Sequence, residues 1–176
     1  MGWTSYHAGF YTSSGSVDRK RECESLLNQE DYEILKAKVV GSTYYAALRS
    51  RKDGSVFAAV ILTRVDNKSE FNFYYKIMSE FDGPRERSCP NDILDLLTPT
   101  KSRFALQWRE DCRNEAKKLK PGDLPVGTRI RIMLDGRPMT LVKERPMYQF
   151  KRPWWYIPEN GKYMPKTRIP EEFQII

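Results

Sequence analysis

Soft metal ligands and nucleophile partners are scarce in this chain: one histidine, His7, and three cysteines, Cys23, Cys89 and Cys112. No Cys-x-x-Cys pair occurs, so a four-ligand zinc site would have to be assembled from all four residues across most of the sequence. An odd, widely spaced set of cysteines fits thiols in a reducing cytosol better than a disulfide framework. His7 could serve a cysteine as base on paper, yet nothing local marks any of the three as an activated nucleophile. The glycines stand singly at turns, so no glycine-rich phosphate loop is present. Carboxylate pairs do occur, at Glu30-Asp31, Glu110-Asp111 and Glu171-Glu172, in positions that read as solvated helix faces or chain ends. No apolar run approaches the roughly 18 residues that cross a bilayer. The start, MGWTSYHAGFY, has neither a basic nor an apolar leader segment. Tyr6 also stands where a myristoylation signal needs Ser or Thr. These absences set the expectation of a cytoplasmic, non-catalytic protein without membrane contact, metal or cofactor.

What the chain does have is apolar and aromatic material. Hydrophobic residues at 40% and aromatics at 12% exclude a disordered chain. Thirty basic against 23 acidic residues leave a net charge of +7, which favours polyanionic partners. Residues 1–120 hold 20 basic and 17 acidic side chains (+3), and the last 56 hold 10 and 6 (+4), so the excess is denser at the C-terminus.

The texture predicts two domains, 1–120 and 121–176. GWTSYHAGFYTSSG reads as a strand or hairpin, and Ser16 or Asp18 can cap a short helix bearing Cys23, Leu26 and Leu27 on one face. YEILKAKVV, STYYAALRS, SVFAAVILTRV and EFNFYYKIM follow, separated by Gly41, Lys52-Asp53-Gly54 and Asp66-Asn67-Lys68. Such β-branched and aromatic runs between turn residues predict a four-stranded antiparallel meander, with the nearly continuous apolar FAAVILT central and buried on both faces. In GSTYYAAL, alternation makes one of Tyr44 and Tyr45 core and leaves the other to be presented. Asn91 or Asp92 can cap a short helix, NDILDLL. Thr100 can cap a longer one over Lys101–Lys118, with Phe104, Trp108 and Cys112 as its stripe across the sheet.

After Lys120 the strands shorten to TRIRIML, MTLVKER, MYQFK, WWYI and KYMPKTRI, between turns such as Asp135-Gly136 and Glu159-Asn160-Gly161. Five short strands suggest a small SH3-like β-barrel, so the fold class is α+β: an antiparallel meander with packed helices, then the barrel. Its core would draw on Ile130, Ile132, Leu134, Leu141, Val142, Phe150 and one face of the aromatic strand. Alternation puts Trp154 and Tyr156 on one face and Trp155 and Ile157 on the other, and only one pair can be core. The remaining rings, beside Lys151, Arg152 and Lys162, either pack within the protein or form a stacking platform among phosphate-neutralising cations. Arg129, Arg131, Arg137, Arg145 and Arg168 could make a basic face, or serve only to keep an exposed face soluble. Candidate binding residues are therefore Arg129, Arg131, Arg145, Lys151, Arg152, Trp154, Trp155, Tyr156 and Lys162.

MGWTSYHA, SVDRKRECESLL, VGSTYYAAL and ILDLLTPT together resemble an uncharacterised family of proteins carried by phages, plasmids and integrated elements of Gram-positive bacteria, over most of the chain. No activity or catalytic residues are established for that family. The resemblance implies a mobile-element accessory protein working in the host cytoplasm, of a kind that handles nucleic acid or blocks a host defence protein, such as a CRISPR effector or restriction enzyme. The basic charge speaks against DNA mimicry as the means. The expected function is non-catalytic binding of nucleic acid or a nucleoprotein complex. The alternative is a protein–protein inhibitor or adaptor with no nucleic-acid contact.

Overall fold

The computed structural model describes residues 2–28, 30–66, 72–118, 120–144, 154–165, 168–170 and 172–176, with Trp154 described by its backbone alone. The chain divides into two compact units, Met1–Lys117 and Lys118–Ile176, each with its own antiparallel sheet. The fold class is α+β, with few helices.

In the first unit, β1 (Thr4–His7), β2 (Tyr32–Val40), β3 (Thr43–Ser50), β4 (Val56–Asp66) and β5 (Asn72–Ser79) form one sheet in the order β1-β5-β4-β3-β2. The apolar β4 lies at its centre. Gly41 closes the β2–β3 turn with a φ of 62° and Gly54 the β3–β4 turn with a φ of 72°, a region that favours glycine. Asp53 supports the latter turn by accepting bonds from the Ser55 hydroxyl at 2.7 Å and the Ser55 amide at 3.1 Å. Those bonds, with one from Ser50, hold its carboxyl down to about 2.

Helix α1 (Arg19–Leu27) is capped by Asp18, whose side chain accepts from the Arg21 amide at 3.1 Å. It packs on β2 and β3 and joins Cys23 and Leu27 to Tyr44, Ala46, Leu48, Ala59, Ile61 and Phe73. On the opposite sheet face, α2 (Asn91–Leu94) and α3 (Arg103–Lys117) bring Ile93, Leu94, Trp108 and Cys112 against Tyr45, Ala47, Val56, Ala58 and Val60. Covering both faces corrects the expectation for the tyrosines: Tyr44 and Tyr45 are both buried.

The helix signals needed two further corrections. The residue before α2 is Pro90, without a side-chain cap, rather than Asn91 or Asp92. In α3 the buried positions are Ala105, Trp108, Arg109 and Cys112, and Phe104 is 67% exposed. Ser102 supplies the cap, accepting from the Ala105 amide at 3.4 Å, while Thr100 accepts from the Ser102 amide at 3.1 Å. Trp108 and Cys112 of the expected stripe are thus interior and Phe104 is not, while Arg109 is interior because it has a partner there.

That partner is Glu80, in the 3-10 turn Glu80–Asp82 that follows β5. Arg109 meets the carboxylate as a fork, Nε to Oε2 at 2.5 Å and Nη2 to Oε1 at 2.7 Å, and Nη1 donates to the Thr98 carbonyl at 2.8 Å. The Ala58 amide of β4 donates to the same carboxylate at 3.3 Å. One buried ion pair thus ties α3, β4 and the end of β5 together. A second buried carboxylate, Glu22 on α1, accepts from the Tyr6 hydroxyl at 2.5 Å and from the Gly9 and Phe10 amides at 2.6 and 2.7 Å. It fixes the N-terminal segment to the helix.

The second unit contains β6 (Arg129–Leu134), β7 (Arg137–Lys143), β8 (Trp154–Ile157), β9 (Lys162–Pro165) and β10 (Gln174–Ile175), in the order β10-β6-β7-β8-β9. β6 and β7 are joined by Asp135-Gly136, both with positive φ (49° and 74°), as a two-residue hairpin loop requires. Ile130, Ile132, Leu141, Trp155, Ile157 and Met164 fill one face with Leu124, while Leu134 and Met139 pack at its margin. Lys143 also faces inward, and its Nζ donates to the Gly122 carbonyl at 2.7 Å and to the Leu124 carbonyl. Val142, expected in this core, lies on the other face, opposite Arg129 and Tyr156. MYQFK, with Phe150, falls outside the described residues. Among those described, β10 and β9 are the sheet's edges and no pairing joins them, so the sheet is open.

Candidate functional site

Each strand of the second sheet puts alternate residues on its two faces, so the packed face defines the other. With Ile130, Ile132, Leu141, Trp155 and Ile157 inside, Arg129, Arg131 and Met133 of β6, Thr140 and Val142 of β7, and Tyr156 of β8 point outward. Register then lines them up. Arg129 pairs with Val142, Val142 with Tyr156, and Tyr156 with Tyr163, making one row across β6, β7, β8 and β9. The next row sets Arg131 between Thr140 and Gln174. The two tyrosine rings at the end of the first row lie 5.4 Å apart, centroid to centroid, tilted by 52°. Tyr163 is 37% exposed, and both arginines are exposed. Neither arginine forms an ion pair among the described residues.

This face is cationic at one end and aromatic at the other. Its acidic members sit at the margins. Glu159 accepts from the Thr140 amide at 3.1 Å. Backbone donors hold its carboxyl below the usual range, and the charge of Arg129 adds a smaller contribution. Glu144 accepts from the Tyr163 hydroxyl at 3.4 Å. Loss of hydration, and then that carboxylate, push the Tyr163 phenol up, so the ring is neutral at physiological pH. Beside Arg131 and Met133 an open cavity of about 410 Å³ is walled by Pro170, Phe173, Gln174 and the acidic Glu172. Met133 itself is 59% exposed.

The expected site residues therefore separate. Arg129, Arg131 and Tyr156 come together on the outward face. Trp155, 0% exposed, belongs to the core and is not available for stacking. Lys162 is exposed but pairs with the inward Ile157, which puts it on the opposite side from Tyr156. Arg137 is exposed and pairs with Leu134, and Arg168 is exposed outside the strands. Arg145, Lys151 and Arg152, and the side chain of Trp154, lie outside the described residues. Tyr163 was not singled out from the sequence. The signal was available, since a hairpin turning over Pro158–Gly161 places residues 156 and 163 directly opposite each other.

The sheet of the first unit also separates the candidate ligands for chemistry. Cys23 lies in the cluster under α1, Cys89 and Cys112 lie in the cluster on the other face, and His7 is exposed on β1. Burial pushes the Cys23 thiol up to about 12, with the nearby Glu22 carboxylate adding to it. Burial likewise pushes Cys112 up to about 11 and raises Cys89. Raised in this way, the three thiols are held in their protonated form at neutral pH, and no neighbouring cation among the described residues activates them as thiolates. Among the described residues no cluster of three or more His, Cys, Asp and Glu side chains could hold a metal, and no helix is long and apolar enough to cross a membrane. No protein-family model, curated protein or solved structure matches the chain.

Proposed function

We propose that this protein is a non-catalytic nucleic-acid-binding protein, and that the outward face of its C-terminal sheet is the contact surface. The observation that carries the reading is the cross-strand row Arg129–Val142–Tyr156–Tyr163 with Arg131 beside it. Cations neutralise phosphates and release their counterions, and adjacent rings accept bases whatever their sequence, at about 1–3 kcal/mol per stacked base. Two rings 5.4 Å apart offer such a platform at one end of the row, and two guanidinium groups with no ion pair among the described residues offer the phosphate contacts at the other. In a mobile element this binding would act on nucleic acid or a nucleoprotein complex in the host cytoplasm, including as counter-defence against a CRISPR effector or restriction enzyme. The SH3-like barrel is part of the same proposal: curling of the sheet would bring β10 and β9 together and leave the outward row as it is.

The test is a gel shift with labelled single-stranded DNA and RNA at about 50 mM salt. Binding by the wild type, weakened at least about tenfold in R129E/R131E and in Y156A/Y163A, supports the reading. No shift by the wild type, or variants that bind like it, ends it.

A further inference from the structure

The sheet of the first unit has a stretch of surface that α2 and α3 leave open. On the face covered by α2 and α3, the buried positions are Tyr45 and Ala47 of β3 and Val56, Ala58 and Val60 of β4, with Met78 of β5 packed against them. Two and four residues further along β4 the same face carries Leu62 and Arg64, and on β5 it carries Lys76 and Tyr74. Register makes these four a compact group: Leu62 pairs with Lys76, and Arg64 pairs with Tyr74. Same-face neighbours on one strand are about 7 Å apart, and partners on adjacent strands about 5 Å. Arg64 is exposed, while Leu62, Tyr74 and Lys76 are half-buried.

Charge decides what this surface would take. Other cations near this face are already matched, Lys36 to Asp92 at 2.8 Å and Arg49 to Glu33 at 3.4 Å on the sheet, and Arg87 of the loop before α2 to Asp111 at 3.2 Å. Lys38 lies near enough to Asp92 to help hold its carboxyl low. Arg64 and Lys76 form no ion pair among the described residues, and they flank a tyrosine ring and an aliphatic side chain on a stretch of sheet that α2 and α3 do not cover. Of the acidic groups on the same face, Asp66 lies beyond Arg64 at the end of β4 and has an interaction of its own. A polyanion that also carries flat apolar groups complements both properties. A duplex hides its bases in the stack, so only a single strand can bring a base onto Tyr74 while Arg64 and Lys76 take its phosphates.

We propose that the open half-face formed by Arg64, Tyr74 and Lys76 is a second, separate docking surface for single-stranded nucleic acid. It stands on residues other than those of the C-terminal row, so either surface can fail without the other.

The experiment uses the full chain and anisotropy of a fluorescein-labelled dT20 strand and of the matching 20-bp duplex, at about 50 and 200 mM salt. R64E/K76E is expected to bind dT20 at least about tenfold more weakly and to lose about 1.4 from the logarithmic salt slope, two contacts at about 0.7 each. Y74A is expected to lose about 5- to 150-fold and Y74F to bind like the wild type. Melting temperatures verify the fold, and the milder R64S/K76S replaces the charge reversal if that variant does not fold. Unchanged dT20 binding in R64E/K76E and Y74A, with loss in R129E/R131E, overturns this surface and leaves the C-terminal reading standing. Loss in R64E/K76E and Y74A but not in R129E/R131E does the reverse. Duplex bound as tightly as dT20 overturns the single-strand assignment, and a wild type that binds neither probe overturns both surfaces.

Discussion

Removing Arg109 should be the most damaging single change to a charged residue in the first unit. Its guanidinium, 10% exposed as a side chain, makes three hydrogen bonds, two of them to a Glu80 carboxylate that has no exposure at all. In Arg109→Met the apolar stem is kept, but a carboxylate is left in the interior with, among the described residues, the Ala58 amide as its remaining partner. Breaking one side of a buried pair costs about 3–5 kcal/mol, much of it the penalty of the stranded charge. For a chain of this size that is a fall in Tm of roughly 6–20 °C. Thermal and urea unfolding followed by circular dichroism would measure it. Two comparisons isolate the cause. Arg113→Ala removes an exposed pair with Asp95 at 3.4 Å and should cost no more than about 1 kcal/mol. Glu80→Leu combined with Arg109→Met removes both charges and should recover most of the loss. If Arg109→Met is no worse than Arg113→Ala, or the double variant is as unstable as the single one, the pair does not hold these elements together.

Other consequences are as direct. Glu22→Ala removes three charge-assisted bonds to Tyr6, Gly9 and Phe10. It should cost about 2–4 kcal/mol and speed amide exchange in residues 4–17 ahead of the rest of the unit. Trp155→Ala should destabilise the second unit by about 3–5 kcal/mol, whereas Tyr156→Ala, on the outward face, should weaken nucleic-acid binding with little change in Tm. Stability should also fall in alkali. The Cys23 and Cys112 thiols are raised by burial, from about 9 to about 12 and about 11. Their contribution is therefore complete below about pH 9 and is lost as pH rises towards 11–12, because only the unfolded chain gives up those protons there. Cys23→Ala should flatten the upper part of a Tm-against-pH curve, and an unchanged slope would count against the burial of that thiol.

The legible parts of the fold were those set by local rules. Asp53-Gly54 and Asp135-Gly136 turned where Asp-Gly signals a hairpin, the apolar β4 lay at the centre of its sheet, and alternation along WWYI gave two opposed pairs with Trp155 and Ile157 inside. What the sequence concealed depends on partners far away in the chain. Alternation assigns a residue to a face but says nothing of what covers that face, so Tyr44 and Tyr45 both went inside once helices lay on both sides of the sheet. Glu22, Glu80, Arg109 and Lys143 are of residue types seldom fully buried, and each is interior because specific donors or acceptors meet it there. On α3 the interior positions include Arg109, whereas Phe104, one turn before the buried Trp108, faces outward. At the candidate site, Arg129, Arg131 and Tyr156 were legible as a basic and aromatic set. Their alignment with Tyr163, and the placement of Lys162 on the other side, required the register of four strands.

The central claim is that the outward row of the C-terminal sheet holds nucleic acid through phosphate and ring contacts. Its most direct test is the affinity of the whole protein for a labelled single strand as salt is raised from about 50 to 200 mM, compared with R129E/R131E. A straight logarithmic plot with a slope of at least about 1.4, reduced by about that amount in the variant, is the predicted result. Affinity indifferent to salt, or an identical slope in R129E/R131E, would contradict it.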